Sequence, residues 1–178
     1  MVHTGYLKGT LAPIGYEAEG APLGIGGVVR LHLGEHIRVG NEGYVSTLGR
    51  RGSGSYLKYG WGGFLADAYT TLGRLQPYAG VTLVGGAMTT LLMLEEPASP
   101  WAPIARTHYH RQGFMAVDPF IGCDFIVTAR MHLTFKVDCL CAISHSRLLP
   151  AGLRVYFGFL FHHWAVSVPA KASPVVAS

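Results

Sequence analysis

The chain has 178 residues, enough for one domain or at most two small ones, and its 13% of charged residues is about half the share of a soluble globular domain. With 49% hydrophobic residues, 24 glycines and a mean hydropathy of +0.29, it is too apolar for an ordinary soluble surface, too rich in glycine for a helical protein, and not disordered. The net charge of +4 arises from basic residues scattered singly rather than in runs, which argues against nucleic acid as a partner.

Met1 runs directly into strand-like sequence, with neither a basic n-region nor an apolar h-region. A mature chain restarted at Met1 and a protein that is not exported would both look like this. A weak first strand, Val2 to about Leu11, is followed by a loop around Pro13 to Gly20. The stretch from Leu23 to Ser46 then alternates with period two. Its odd positions carry Leu23, Ile25, Val29, Leu31, Leu33, Ile37 and Val39, and its even ones Arg30, His32, Arg38 and Glu42. Gly34-Glu35-His36 interrupts it, so the segment is predicted as a β-hairpin. A loop of turn formers and charges, 49–54, precedes a fourth strand from Ser55 to about Thr70, with Leu57, Tyr59, Trp61 and Leu65 on odd positions.

A turn near Gly73 leads to a fifth strand. The apolar run Ala79–Leu94 inside it competes as a membrane helix, but it is shorter than the roughly 20 residues a helix needs to cross a bilayer. Gly85-Gly86 interrupts it, so it reads as strand. After a loop from Glu95 to Pro103, a sixth strand begins near Ile104 and extends to about Val127. A short turn at Ala129-Arg130 joins the seventh, which carries His132, Lys136 and Asp138 on even positions. A loop from Ser144 to Gly152 precedes the last, Leu153 to Trp164. Residues 165–178 read as a flexible tail behind a barrel domain of residues 1–164.

Connections alternate long and short, and the apolar parity is read as constant from strand to strand. An all-β, eight-stranded antiparallel up-and-down barrel satisfies both, with short turns at one end and longer loops at the other. A soluble lipocalin-like barrel binding a small apolar ligand would turn the apolar face inward; a transmembrane barrel inverts it. Inversion is favoured by the many glycines and sparse charges of both signs on the even face, which suit a crowded small-barrel interior. Odd positions stay uncharged for about 9–11 residues, the length of a tilted membrane strand. Odd charges such as Glu35, Asp67, Glu95 and Arg111 are read as lying near turns or in extended strand ends.

At this point the chain resembles the small bacterial outer-membrane barrels of OmpA/OmpX/OmpW-like architecture. The likeness covers about residues 2–164 and rests on architecture, without a diagnostic motif. The run LRVYFGFLFHHW, Leu153–Trp164, is similar to the aromatic-rich last strand of such proteins, although the chain continues past Trp164. The resemblance implies residence in the outer membrane of a Gram-negative-type bacterium, with membrane lipids as partners and an envelope or extracellular partner at the loops. The expected role is structural, adhesive or small-permeation, not enzymatic.

On the predicted inward face, Arg30, Arg38, Glu42, Lys58, Asp124, Lys136, Asp138 and Arg154 form a charge network, since unpaired buried charge is costly. Asp124 is expected near Thr134 or Lys136, Glu42 near Arg30, and Asp138 near Lys136 and Arg154. The network reads as a plug, with a narrow ion path as the rival. Cys123, Cys139 and Cys141 lack metal or disulfide spacing and read as thiols on the apolar face. His108 and His110 share a strand face, the spacing of a metal pair, but no third ligand is evident, so no metal or cofactor is expected. A lipid-modifying hydrolase using His145 and Ser146, with Glu95 and Glu96 in another loop, is an alternative, yet adjacent strand residues face opposite ways and no acid is positioned by a recognisable spacing. Tyr59, Trp61, Trp101, Tyr109 and Trp164 are candidates for interfacial aromatic girdles.

Overall fold

The computed structural model of the protein describes residues 1–11, 16–49, 55–95, 105–143 and 152–162. Ten strands run through them: β1 (Val2–Gly5), β2 (Leu7–Leu11), β3 (Tyr16–Gly20), β4 (Leu23–Leu33), β5 (Ile37–Gly49), β6 (Tyr56–Tyr69), β7 (Leu75–Glu95), β8 (Ala105–Thr128), β9 (Met131–Ala142) and β10 (Gly152–Phe161). Eight close an antiparallel barrel in the order β1-β10-β9-β8-β7-β6-β5-β4, and β2 pairs with β3 as a separate hairpin in the first long connection. The predicted eight-stranded barrel is therefore the fold, while the first predicted strand divides into β1 and β2. The Ala79–Leu94 run lies within β7, as strand.

Residues 34–36, 73–74 and 129–130 make tight turns at one end. The longer connections gather at the other. β7 and β8 pair from Leu75↔Phe125 to Glu95↔Ala105. At about 3.4 Å per residue the 21-residue β7 reaches about 70 Å, against about 35 Å for the 11-residue β4. β6 accompanies β7 only as far as Tyr56↔Leu91 and, among the described residues, β9 joins β8 only from Ala116↔Ala142, so the β7–β8 hairpin forms an arm at the long-loop end on which β8 before Ala116 is the free edge. His108, Tyr109, His110 and Arg111 are consecutive and all exposed on it.

The wall is apolar outside and polar within. Leu23, Ile25, Val29, Leu31, Leu83, Met115 and Ile121 are exposed at 62–72%, whereas Arg38, Asp124 and Lys136 are 2% or less. A barrel with an apolar ligand cavity would show the opposite arrangement.

The parity expected to hold throughout does not. Odd residues point outward on β4, β5 and β7–β10, but inward on β1 and β6. On β6 the reversal has a local cause. Leu72 and Leu75 pair around Gly73-Arg74, Gly73 taking a φ of 62°, and a two-residue turn sets odd positions opposite even ones. Six residues between Gly49 and Tyr56 act in the same sense at the other end. The two-residue turn Ala129-Arg130 ought to reverse parity as well. There the ladder slips by one residue between Ile126↔His132 and Thr128↔Met131, and the extra residue restores the alternation. Thr128 Oγ1 accepts from the backbone N–H of Arg130 and Met131 and holds this turn.

Candidate functional site

The lumen is the candidate site. An eight-stranded barrel is just wide enough to be filled by its own side chains, and two ion-pair groups fill this one. The first lies nearer the short turns and draws on β4, β5, β6 and β8. Arg38, opposite Asp67 in the ladder, donates from Nε to Asp67 Oδ1 at 2.7 Å and from Nη1 to Asp124 Oδ2 at 2.9 Å. Arg30 stands 3.3 Å from Asp67 and 3.5 Å from Asp124. Each carboxylate thus touches both guanidiniums. Both cations stack on Tyr78, Arg30 at 4.5 Å and Arg38 at 4.9 Å, and Arg38 also covers Tyr69 at 4.7 Å.

The second group is a chain rather than a square. Lys136 Nζ donates to both Glu42 oxygens, at 2.7 and 2.9 Å, and lies 3.4 Å from Asp138. Asp138 accepts from Arg154 Nε at 2.7 Å, its neighbour directly across the β9–β10 ladder, and Arg154 Nη2 reaches Asp118 at 2.9 Å. Thr82 Oγ1 donates to Glu42 at 2.5 Å. The Lys136 ammonium sits among Phe120 and Tyr156, 4.6 and 4.8 Å from their ring centres, and Arg154 lies over Trp61 at 4.8 Å. Gly122, opposite Lys136 in the ladder, leaves room that a Cβ would take from the Tyr78 ring. Tyr78 OH and Thr134 Oγ1, 3.1 Å apart, separate the two groups. Above the second group His3 stacks on Tyr156 at 4.7 Å and meets Ser46 Oγ at 2.8 Å.

Of the eight charges read as inward, the structure brings seven inside: Arg30, Arg38, Glu42, Asp124, Lys136, Asp138 and Arg154. Lys58 is the exception. It is exposed on the outer face of β6, opposite Thr47 and Thr89, because that strand's parity is reversed. Two partners also differ from expectation. Glu42 takes Lys136 rather than Arg30; Asp124 lies directly opposite Thr134 in the ladder, as expected, but its charge is met by the two arginines rather than by Lys136. The lumen also holds Asp67 and Asp118, which the sequence reading did not place there. Asp67 was hidden by the same reversal; Asp118 sits on the even face of β8, where the signal was present.

Tyr59 and Trp61 are buried inside and so belong to no girdle, whereas Tyr109 is exposed on the arm. Cys139 and Cys141 are exposed on the outer face of β9. Glu96, Trp101, His145, Ser146, Trp164 and the tail lie outside the described residues. Among the described residues no group of three His, Cys, Asp or Glu side chains stands ready around a metal.

No family model and no curated protein matches the chain. Solved structures do. The chain is similar to Ail, the attachment invasion locus protein of Yersinia pestis, crystallised with the heparin analogue sucrose octasulfate: TM-score 0.53, 12% identity, covering 90% of this chain and 95% of that one. Neisserial surface protein A matches at TM-score 0.49 and 12% identity over 89% of this chain and 90% of that one. The N-terminal barrel of Pseudomonas aeruginosa OprF matches at 0.46 and 12% over 90% and 94%. The shared feature is the fold, the architecture of small outer-membrane barrels.

Proposed function

We propose that this chain is an integral outer-membrane barrel, seated in the bilayer by its apolar wall and sealed by its salt-bridged interior, with a structural or adhesive role at its long-loop end. The observation that carries this reading is the inversion itself: aliphatic side chains cover the outside while five carboxylates (Glu42, Asp67, Asp118, Asp124, Asp138) and four cations (Arg30, Arg38, Lys136, Arg154) lie within. In water such a surface would aggregate; in a bilayer it is the required one. A filled lumen favours a plug over permeation, and the reading assigns no catalytic step to the barrel.

The β7–β8 arm supports adhesion. It presents His108, Tyr109, His110 and Arg111 to solvent, a cationic and aromatic surface suited to an anionic partner. Ail, which shares the fold, was crystallised with a sulfated sugar, so a sulfated polysaccharide is the first partner class to test. Two measurements test the reading. Purified chain is expected to need detergent or lipid to stay monodisperse and to show no conductance steps in planar bilayers. Retention on heparin is expected to fall when Arg111 and His110 are both changed to alanine. Free solubility in buffer would refute the membrane assignment; steady conductance, the plug; and unaltered or absent heparin retention, the adhesive arm.

A further inference from the structure

One row of the outer wall carries charge at the long-loop edge of the apolar band. The ladders set Thr47, Lys58, Thr89 and Arg111 side by side on β5, β6, β7 and β8, and all four point outward. Below this row the outward positions of the same strands are uncharged as far as Ile37, Ala68, Ala79 and Ile121. At about 3.4 Å per residue and a tilt of about 40°, those roughly ten residues rise about 26 Å, the height of the apolar band of a membrane barrel. Lys58 and Arg111 therefore stand at headgroup level, about 10 Å apart across two strand spacings. Neither is in an ion pair among the described residues. One row higher, Tyr56, Leu91 and Tyr109 align, the two tyrosines 37% and 63% exposed, as aromatics at a membrane interface are.

Directly beneath the cations the wall is recessed. Gly60, Ala87 and Gly113 form the next row, and Gly43, Gly62 and Gly85 the one after it. The glycines of β5, β6 and β7, with Ile25 and Val45, line an open groove. Packing within the barrel does not require them. A Cβ at Gly43, Gly60 or Gly85 would meet nothing closer than 3.5 Å, whereas one at the inward Gly26, Gly63 or Gly86 would run into neighbouring side chains and backbone. The ladders through the recess keep their register, so no bulge accounts for the glycines either. Glycine weakens a strand interior, and where neither bulge nor bend calls for it, it marks the close approach of a ligand or another chain.

An occupant of this face has to be apolar along the recess and anionic above it. A second copy of the chain does not offer that combination, because the carboxylates whose side chains are described lie in the lumen, apart from Glu35 at the opposite end. A phosphate-bearing lipid does. Its phosphate suits an ammonium and a guanidinium flanking a threonine, and its chain suits a wall without side chains. We propose that Lys58, Thr89 and Arg111 hold the phosphate of an anionic lipid in the long-loop leaflet, with one of its acyl chains lying in the glycine recess beneath. This inference rests on the membrane reading of the barrel and is independent of the adhesive reading of the arm.

The test uses the full chain folded in neutral detergent and mixed with phosphatidic acid or with phosphatidylcholine of the same acyl chains, the retained lipid being read by native mass spectrometry. One phosphatidic acid per chain is expected, held at least about fivefold more tightly than phosphatidylcholine. Lys58→Gln and Arg111→Gln are each expected to weaken that binding about fivefold, the share of one cation at an anionic membrane surface, and the two together more than tenfold. Gly60→Leu/Gly85→Leu fills the recess, keeps the charges and is expected to weaken binding several-fold. His110→Gln, on the opposite face of β8, is expected to leave it unchanged, and glycerol phosphate, a head without chains, is expected not to compete. Equal retention of the two lipids, a cation or leucine pair that binds as the parent does, displacement by glycerol phosphate, or dimers in place of a lipid adduct would overturn the site. Should the leucine pair not fold, the cation variants, which leave the lumen untouched, still decide. A chain that needs detergent but shows no lipid preference defeats this site alone; one that needs no detergent defeats the membrane reading beneath it.

Discussion

The two ion-pair groups of the lumen differ in how their charges are shared. Near the short turns, two arginines and two aspartates form a closed square in which each carboxylate touches both guanidiniums. Nearer the long loops, Lys136 and Arg154 serve three carboxylates in a line running Glu42, Lys136, Asp138, Arg154, Asp118. A square keeps a partner for every charge when one corner is lost. A line is cut. Breaking a buried pair costs more than forming it gains, because the abandoned charge stays buried, so connectivity rather than the number of contacts sets how each group tolerates damage.

The largest effect is therefore expected where the square loses both cations. Arg30→Ala/Arg38→Ala strands Asp67 and Asp124 together, and its loss of stability should exceed about 5 kcal/mol, the upper end for breaking one buried pair. It should also exceed the sum of the single losses, as coupled residues do. Next comes the line: Lys136→Ala leaves Glu42 with Thr82 as its near donor and should lower stability by about 3–5 kcal/mol. Arg38→Ala alone should cost less, about 1–3 kcal/mol, since Arg30 still faces both aspartates. Urea unfolding in lipid vesicles, followed by tryptophan fluorescence, ranks all three, and a single-arginine loss as large as the Lys136 loss would remove the distinction between square and line. Smallest of all is Lys58→Ala, on the outer face, expected within about 0.5 kcal/mol of the parent.

Much of this was legible in the sequence. Strict alternation in Leu23–Ser46, glycines on the even face and uncharged odd positions led to an eight-stranded inverted barrel. Arg30, Arg38, Glu42, Asp124, Lys136, Asp138 and Arg154 stood on the inward parity of strands where that parity holds. What failed was local. One extra or missing residue in a connection moves every side chain of the next strand to the other face, and sequence does not show whether a ladder bulges. Gly73-Arg74 reverses β6, burying Asp67, Tyr59 and Trp61 and turning out Lys58; Ala129-Arg130 has the same length, yet the slip at Thr128 cancels it. Partner choice was likewise beyond reach, because Glu42 and Lys136 are 94 positions apart and meet only across the closed lumen.

The inverted wall with its reversed sixth strand is tested most directly at two adjacent positions, Phe64 and Leu65. With Cys123, Cys139 and Cys141 changed to serine, a nitroxide is attached to a single cysteine at 64 or 65 in protein reconstituted in lipid, and its collisions with oxygen and with a water-soluble nickel complex are compared. Phe64 is 73% exposed and Leu65 3%, so the label at 64 should show the high oxygen and low nickel accessibility of a lipid-facing site, and that at 65 low accessibility to oxygen. A lipid-type signal at 65 and not at 64 would restore the uniform parity and contradict the lumen described here.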